Sequence, residues 1–239
     1  MNDLAGTVVA ITGASAGIGA AAARLLVAEG ASVALGARRV ERLESMVAEL
    51  GEKAMAVEMD VRDPEASRRM VARTLDRFGR LDALVANAGI GAYGGLMDLT
   101  DEQLQDMMET NIAGTVWPIR AAVPPMLEAG GGDIVIVASV AGLRGAGDEA
   151  VYAATKHAQV GLAGGLDREL REKNIRVSTL CPGGTATEFA MGAGRTPDMP
   201  GLADMLNAED VGAAIVTVLS QPKNMRSLIW SMRSIKEED

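Results

Sequence analysis

Several things are scarce in this sequence, and each shortage removes a class of protein. There is a single cysteine, Cys181, so no intrachain disulfide can form and no cysteine-rich metal site exists. Cys181 precedes Pro182 and reads as an inert, partly buried small residue. No metal centre is expected. Basic residues are outnumbered, 23 Lys and Arg against 32 Asp and Glu, for a net charge of −9. Broad nucleic-acid binding needs a basic surface, so nucleic acid is not an expected partner. No uninterrupted apolar run is long enough to span a bilayer, and no basic segment followed by an apolar run opens the chain. No membrane association and no signal peptide are expected, and the cytoplasm is the default location. Aromatics are 3% of the residues, so the core must rest on Ala, Val, Leu, Ile and 14 Met.

What is present is globular. The 239 residues are 48% hydrophobic and 23% charged, which suits one large domain. The 28 glycines suit a fold with many tight strand–helix turns. Apolar strand-like runs alternate with helical patterns. Strands are expected at 8–11, 31–36, 53–59, 81–86, 133–138, 175–180 and 227–230. Helices are expected at 17–29, 40–50, 64–78, 100–129, 148–172 and 208–219. Asp63-Pro64 opens one of them, and Thr100 with Gln103 has capping-box spacing at the start of another. Pro118, Pro124 and Pro125 should kink or break the 100–129 helix. Strands that are nearly all apolar, each followed by a helix, indicate an α/β fold. The expected architecture is a single-domain, doubly wound parallel sheet of about seven strands with helices on both faces. The one long irregular stretch, 182–207, reads as a lid, and the charged tail 236–239 as a solvated end.

The most informative stretch lies near the start. An apolar run through Ile11-Thr12 meets Gly13, Gly17 and Gly19, and a helical pattern follows. A strand, a glycine-rich turn and a helix make a mononucleotide-binding unit, because the turn approaches a pyrophosphate closely and the helix N-terminus offers it free N–H groups. The spacing is G-x-x-x-G-x-G rather than G-x-G-x-x-G, and no Lys-Ser/Thr pair follows Gly19, so this is not a P-loop.

Ligands of open α/β sheets bind beyond the carboxyl ends of the strands. After the second strand come Ala37, Arg38 and Arg39. A carboxylate there would accept from a ribose and repel a 2′-phosphate, whereas a guanidinium fork suits phosphate. This favours NADP over NAD; the other reading is two solvated arginines. After the third strand, Asp60 and Val61 either contact an adenine, or Asp60 caps the next helix. After the fourth, Asn87-Ala88-Gly89 allows a close cofactor approach, with Asn87 able to order the turn. After the fifth comes Ser139. Tyr152 and Lys156 are four apart on a predicted helix and share a face, where a cation lowers a phenol pKa. By itself such a pair is a weak signal and is more often a surface pair.

Taken together, the Thr12–Gly19 turn, Asn87-Ala-Gly89, Asn111, Ser139, Tyr152-x-x-x-Lys156 and Pro182-Gly183 occur in one order that resembles the short-chain dehydrogenase/reductase family over about 7–218. The chain looks most like NADP-dependent reductases of ketones, hydroxysteroids, sugars or 3-oxoacyl thioesters. The resemblance implies four catalytic residues. Tyr152 would protonate a carbonyl oxygen as hydride arrives, and Ser139 would hydrogen-bond that oxygen. Lys156 would bind the nicotinamide ribose and lower the Tyr152 pKa. Asn111, at a local break in its helix, would hold a water linking Lys156 to solvent. Around NADP(H) it implies Gly13, Ser15, Gly17, Ile18, Gly19, Arg38, Arg39, Asp60, Val61, Asn87, Ala88, Gly89, Tyr152, Lys156, Pro182, Gly183 and Thr185 or Thr187. Ala16 stands where some NADP-preferring members carry a basic residue, and Ala86 opens the usual Asn-Asn-Ala-Gly run.

The family pocket corresponds to 140–149 and the lid, whose Phe189, Met191 and Met199 suit an apolar substrate, while Arg144 either holds an anionic group or is solvated. His157 follows Lys156 and so points elsewhere, as an ordinary helix residue. The expected activity is reversible, NADPH-dependent reduction of a small-molecule carbonyl. The helices at 100–129 and 148–172 resemble those that pair between subunits in the family, so a homo-oligomer, tetramer or dimer, is expected. The alternatives are a catalytically idle NADP(H)-binding sensor or scaffold, a 3-oxoacyl thioester reductase, or other chemistry such as epimerisation or dehydration on the same scaffold.

Overall fold

A computed structural model describes residues 2–237. Seven strands form one sheet: β1 (Val8–Thr12), β2 (Ser32–Ala37), β3 (Ala54–Glu58), β4 (Ala83–Ala86), β5 (Gly132–Val137), β6 (Ile175–Pro182) and β7 (Ile229–Met232). Their order is β3-β2-β1-β4-β5-β6-β7, and every pairing is parallel. The chain winds outward from β1 to β3, then returns to place β4 on the other side of β1. Its winding reverses there, and neighbouring loops part to leave a crevice at the carboxyl ends.

Seven α-helices cover the faces: α1 (Gly17–Ala28), α2 (Val40–Leu50), α3 (Pro64–Phe78), α4 (Asp101–Met108), α5 (Gly114–Glu128), α6 (Ala150–Leu170) and α7 (Ala208–Leu219). Alternation along each strand divides the core in two. Val9 and Ile11 join Leu26 of α1, Leu43 of α2 and Ile215 of α7. Ala10, between them, faces the other way, toward Met70 of α3 and Ile119 and Ala122 of α5. Both faces are covered, which is why the strands read as unbroken apolar runs.

The helix starts follow local chemistry. The Asp63 carboxylate accepts the Glu65 N–H at 2.8 Å ahead of Pro64. The Thr100 hydroxyl accepts the Gln103 N–H, while the Gln103 side chain accepts the Thr100 N–H, completing the capping box. Helix α1 differs: Ala16 precedes it and no side chain caps its first N–H groups.

Boundaries shift from the sequence expectation by one or two residues; β7, for example, begins at Ile229 rather than at 227. The 100–129 stretch holds the larger difference. Its prolines do not end the helix; Pro118, Pro124 and Pro125 lie inside α5. Burial of Thr115, Pro118, Ile119, Ala122 and Met126 outweighs the lost backbone bonds. The interruption comes earlier, as one π-helical stretch over Glu109–Ala113 that carries Asn111. Among the described residues no helix is long and apolar enough to cross a membrane.

Candidate active site

A cavity of about 910 Å³ opens at the carboxyl ends of the strands, between the β1–α1 turn and the segment after β6. Its walls include Gly13, Ser15, Gly17, Ile18, Arg38, Arg39, Asp60, Val61, Asn87, Ala88, Gly89, Ser139, Tyr152, Lys156, Pro182, Gly183, Thr185 and Thr187. Of the residues singled out from the sequence for catalysis or binding, Gly19, Asn111 and the lid residue Met199 are not part of this wall, whereas Phe189 and Met191 are.

The turn is built from the backbone outward. Gly13 has φ +68°, and a Cβ there would meet the Ala88 Cα at 2.8 Å. Gly19 is fixed by packing, since a Cβ would stand 2.6 Å from the Gly13 carbonyl oxygen and 2.7 Å from the Asn87 amide nitrogen. Asn87 Nδ2 donates to the carbonyl oxygens of Thr12 and Gly13 at 3.0 and 3.3 Å. The buried Thr12 hydroxyl accepts the N–H groups of Asn87 and Ala88, both at 3.1 Å. The β1 and β4 turns are thereby tied together, and the uncapped start of α1 faces the cavity. Free N–H groups with a positive dipole end, reached over glycine, fit the pyrophosphate of a dinucleotide.

At the β2 end, Arg38 is exposed and lines the cavity. Arg39 donates from Nε to the Ser15 hydroxyl at 3.1 Å and from Nη1 to Glu188 at 2.7 Å. Arg42 holds the same carboxylate at 2.7 and 2.8 Å. The two guanidinium groups keep the Glu188 carboxyl below the usual carboxylate range. The lid is thus latched to α2 across the crevice. At the β3 end, Asp60 does not cap the following helix; Asp63 does. Asp60 is paired with Arg62 at 2.7 Å, which lowers its pKa, and Arg62 also reaches Asp106 at 2.9 Å.

Beyond β5, Ser139 and Tyr152 are both buried, the phenol hydroxyl facing the serine side chain. Burial pushes the Tyr152 phenol well above its ordinary value, with Tyr93 adding to the shift and Ser139 opposing it. Lys156 is not among the groups that set this shift. The ammonium lies 5.7 Å from the Tyr152 ring centre, and desolvation dominates. Lys156 is 3% exposed, and burial pushes its own pKa down to about 8; among the described residues no carboxylate pairs with it. Its Nζ donates to the Gln159 side-chain oxygen at 2.9 Å and to the Val137 carbonyl at 3.3 Å.

Gln159 is a site residue that no local motif marks. Its Nε2 donates to the Asn111 main-chain carbonyl at 3.0 Å and to the Thr115 hydroxyl at 2.7 Å. A side chain therefore bridges Lys156 to the Asn111 carbonyl. The Asn111 side chain is used elsewhere, accepting the Ile90 N–H at 2.8 Å and donating to the Ile90 carbonyl and the Thr155 hydroxyl.

The segment after β6 has little regular structure before α7. The Thr187 side chain packs against Gly17, and Thr185 is buried. Phe189 packs on Tyr152 with ring centres 5.7 Å apart, and Tyr93 does so at 5.9 Å. Arg144 is exposed. The tail expected to be solvated folds back instead. Glu237 accepts the Gly184 N–H at 3.0 Å and pairs with Arg233, while Lys236 reaches Asp204 at 2.5 Å. Residues 238–239 of that tail lie outside the described residues. Cys181 is fully buried, and burial pushes its thiol pKa up. His157 Nδ1 lies 2.9 Å from the Ala153 carbonyl of its own helix. Among the described residues no group of three His, Cys, Asp or Glu side chains could hold a metal ion.

A parallel sheet with a glycine turn, an uncapped helix start and a buried Ser–Tyr–Lys group at its carboxyl ends defines a dinucleotide-binding α/β protein. The chain belongs to the short chain dehydrogenase family, whose pattern it matches over residues 7–198. It is 47% identical over 133 residues to an uncharacterised NAD-dependent oxidoreductase of Mycobacterium tuberculosis, a match covering 55% of this chain and 48% of that one. The chain thus spans about half the length of that curated relative. It is 33% identical over 218 residues to an uncharacterised oxidoreductase of Staphylococcus epidermidis, covering 91% and 93% of the two chains. An alcohol dehydrogenase from the archaeon Thermococcus sibiricus, solved with 5-hydroxy-NADP, superposes with a TM-score of 0.89 at 31% identity over 98% of each chain.

Proposed function

We propose that this chain is an NADPH-dependent oxidoreductase that reduces a carbonyl to an alcohol, reversibly. The observation that carries the reading is the buried Tyr152 hydroxyl facing Ser139 and flanked by Lys156, inside a cavity that begins at the glycine turn. The nicotinamide cofactor supplies the hydride when bound. The first N–H groups of α1 hold its pyrophosphate, and Pro182, Gly183, Thr185 and Thr187 border its nicotinamide end. Arg38 holds the 2′-phosphate, with Arg39 beside it. The 5-hydroxy-NADP held by the Thermococcus sibiricus alcohol dehydrogenase supports that preference, and the name of the mycobacterial relative points to NAD.

Hydride addition builds negative charge on the carbonyl oxygen, and that charge needs donors already in place. Ser139 orients the oxygen. Tyr152, neutral because it is buried, delivers its phenolic proton to it. Lys156 binds ribose hydroxyls, and its positive charge stabilises the phenolate left behind. Gln159 holds Lys156 against the Asn111 carbonyl. Met108, Ile112 and Leu127 expose apolar surface on the 100–129 stretch. Pairing of these faces between copies is part of the proposal, and a single-chain mass by light scattering would remove it.

The test is NADPH oxidation by purified protein across ketones, aldehydes, diketones and 3-oxoacyl thioesters, with NADH in parallel. Turnover favouring NADPH is expected. Cofactor binding without turnover of any carbonyl would replace the reductase reading with that of a sensor or scaffold.

A further inference from the structure

The lid carries one charge into the substrate end of the cavity that the reaction does not use. Arg195 is 9% exposed. Its guanidinium carbon lies 5.6 Å from the Tyr93 ring centre and 5.7 Å from that of Phe189. Both rings also pack on Tyr152. The guanidinium and the phenol therefore share the same two aromatic neighbours, and both line the one cavity.

The partners of Arg195 leave that charge uncompensated. Nη1 donates to the Thr185 carbonyl at 3.0 Å, and the Tyr93 hydroxyl lies close by. Among the described residues no carboxylate pairs with it. The other arginines of the cavity wall are differently placed: Arg39 is paired with Glu188, Arg233 with Glu237, and Arg38 and Arg144 are exposed. The one carboxylate near both tyrosines, Glu149, is turned to the Ala146 N–H at 3.2 Å. Burial holds Glu149 above the usual carboxylate range, as expected of a group that is no cation's counter-ion. A buried cation is costly without an opposite charge, and aromatic faces recover only part of that cost. Its planar fork matches a carboxylate through two parallel hydrogen bonds.

We propose that Arg195 binds a carboxylate on the substrate, so that the preferred substrates are oxo acids in reduction and the matching hydroxy acids in oxidation. This rests on the carbonyl-reductase reading of Tyr152. A neutral ester or thioester leaves the guanidinium buried and unpaired, which discriminates against it.

The experiment uses the full chain with NADPH and a series of oxo acids having one to four methylenes between carbonyl and carboxylate, each against its own methyl ester. At the best chain length, kcat/KM for the acid should exceed that for the ester by about tenfold or more, mainly through KM. In Arg195→Met that ratio should fall toward one, and Arg195→Lys should keep part of it. Esters preferred or equal to acids at every length in the wild type would overturn the proposal. So would a ratio unchanged in Arg195→Met. If no carbonyl of either series, nor any ketone, aldehyde or thioester of the wider panel, is turned over, the reductase reading falls by itself. Calorimetry of the acids and esters on NADPH-loaded protein then decides the anion site: tighter acid binding lost in Arg195→Met supports it, and equal binding overturns it.

Discussion

The two halves of the cavity are made differently. The cofactor half is backbone: strand ends, a glycine turn, an uncapped helix, and short ties from Thr12 and Asn87 to neighbouring main chain. The substrate half is side chain: two tyrosines, a phenylalanine and an arginine, the last two borne on a segment with little regular structure. A backbone-built surface tolerates almost no change, because each atom is fixed by the sheet behind it. A surface of side chains on a loop can be replaced residue by residue without disturbing the fold.

The largest expected effect tests the point where the halves meet. Tyr152→Phe should lower turnover by about a thousandfold, the range of lost general acid catalysis, while NADPH affinity by fluorescence titration stays within about threefold. Near-normal turnover would remove Tyr152 as the proton donor.

Gly19→Ala probes the backbone half. Its Cβ has no room beside the Gly13 carbonyl and the Asn87 amide. A loss of about 1–3 kcal/mol in urea unfolding and at least tenfold weaker NADPH binding are expected. A substitution that leaves both unchanged would show the turn to be less rigid than its contacts indicate.

Arg38→Ala should weaken NADPH by about 10–100-fold and NADH by less than about threefold, the loss of one charge-assisted contact. Equal losses for the two cofactors would move the 2′-phosphate away from Arg38.

Gln159 bears on Lys156 through pH. The folded ammonium pKa of Lys156, about 8, lies below the ordinary value of 10.5. Below pH 8 both folded and unfolded chains carry the proton, and the folded chain bears the full cost of burying it. Between pH 8 and 10.5 the folded chain releases the proton first, so that cost is relieved as pH rises. Wild-type melting temperature should therefore rise relative to Lys156→Met over that window in the cofactor-free protein. Reduction needs the charge, so its rate should fall as pH rises through the same titration. Gln159→Leu, which removes an acceptor from the ammonium, should move the limb to lower pH, and Gln159→Glu should move it higher. An unmoved limb in both would leave Gln159 as packing alone.

The smallest effect is at the latch. Glu188→Gln removes an anion from beside Arg39 and Arg42. NADPH should bind tighter by less than about tenfold at low salt, and the gain should fade as salt screens these exposed groups. Weaker binding would mean that the closed latch supports the cofactor rather than competing with it.

Much of the molecule is legible in its sequence. Apolar runs at strand length and caps at Asp63 and Thr100 are local signals, and elements near those bounds form. The residues read off the strand ends gather on one cavity because a parallel sheet puts every carboxyl end on one side. What stayed hidden was of two kinds. The prolines of α5 sent a correct local signal that burial against the sheet overrode. Gln159, Glu188, Arg195 and Glu237 sent no signal, since their partners lie far along the chain and nothing local marks a contact of that range.

The sequence by itself determined the alternation of strand and helix, the glycine turn and the Tyr152–Lys156 face. Each depends on residues within a few positions of one another, where backbone geometry alone dictates what meets. The tertiary structure decided the protonation of that face and the charge opposite it. Burial raised the Tyr152 pKa and lowered that of Lys156, and the lid carried Arg195 to the aromatic cluster without a counter-ion. Desolvation and long-range charge depend on everything packed around a group, and that environment exists only once the whole chain has closed upon it.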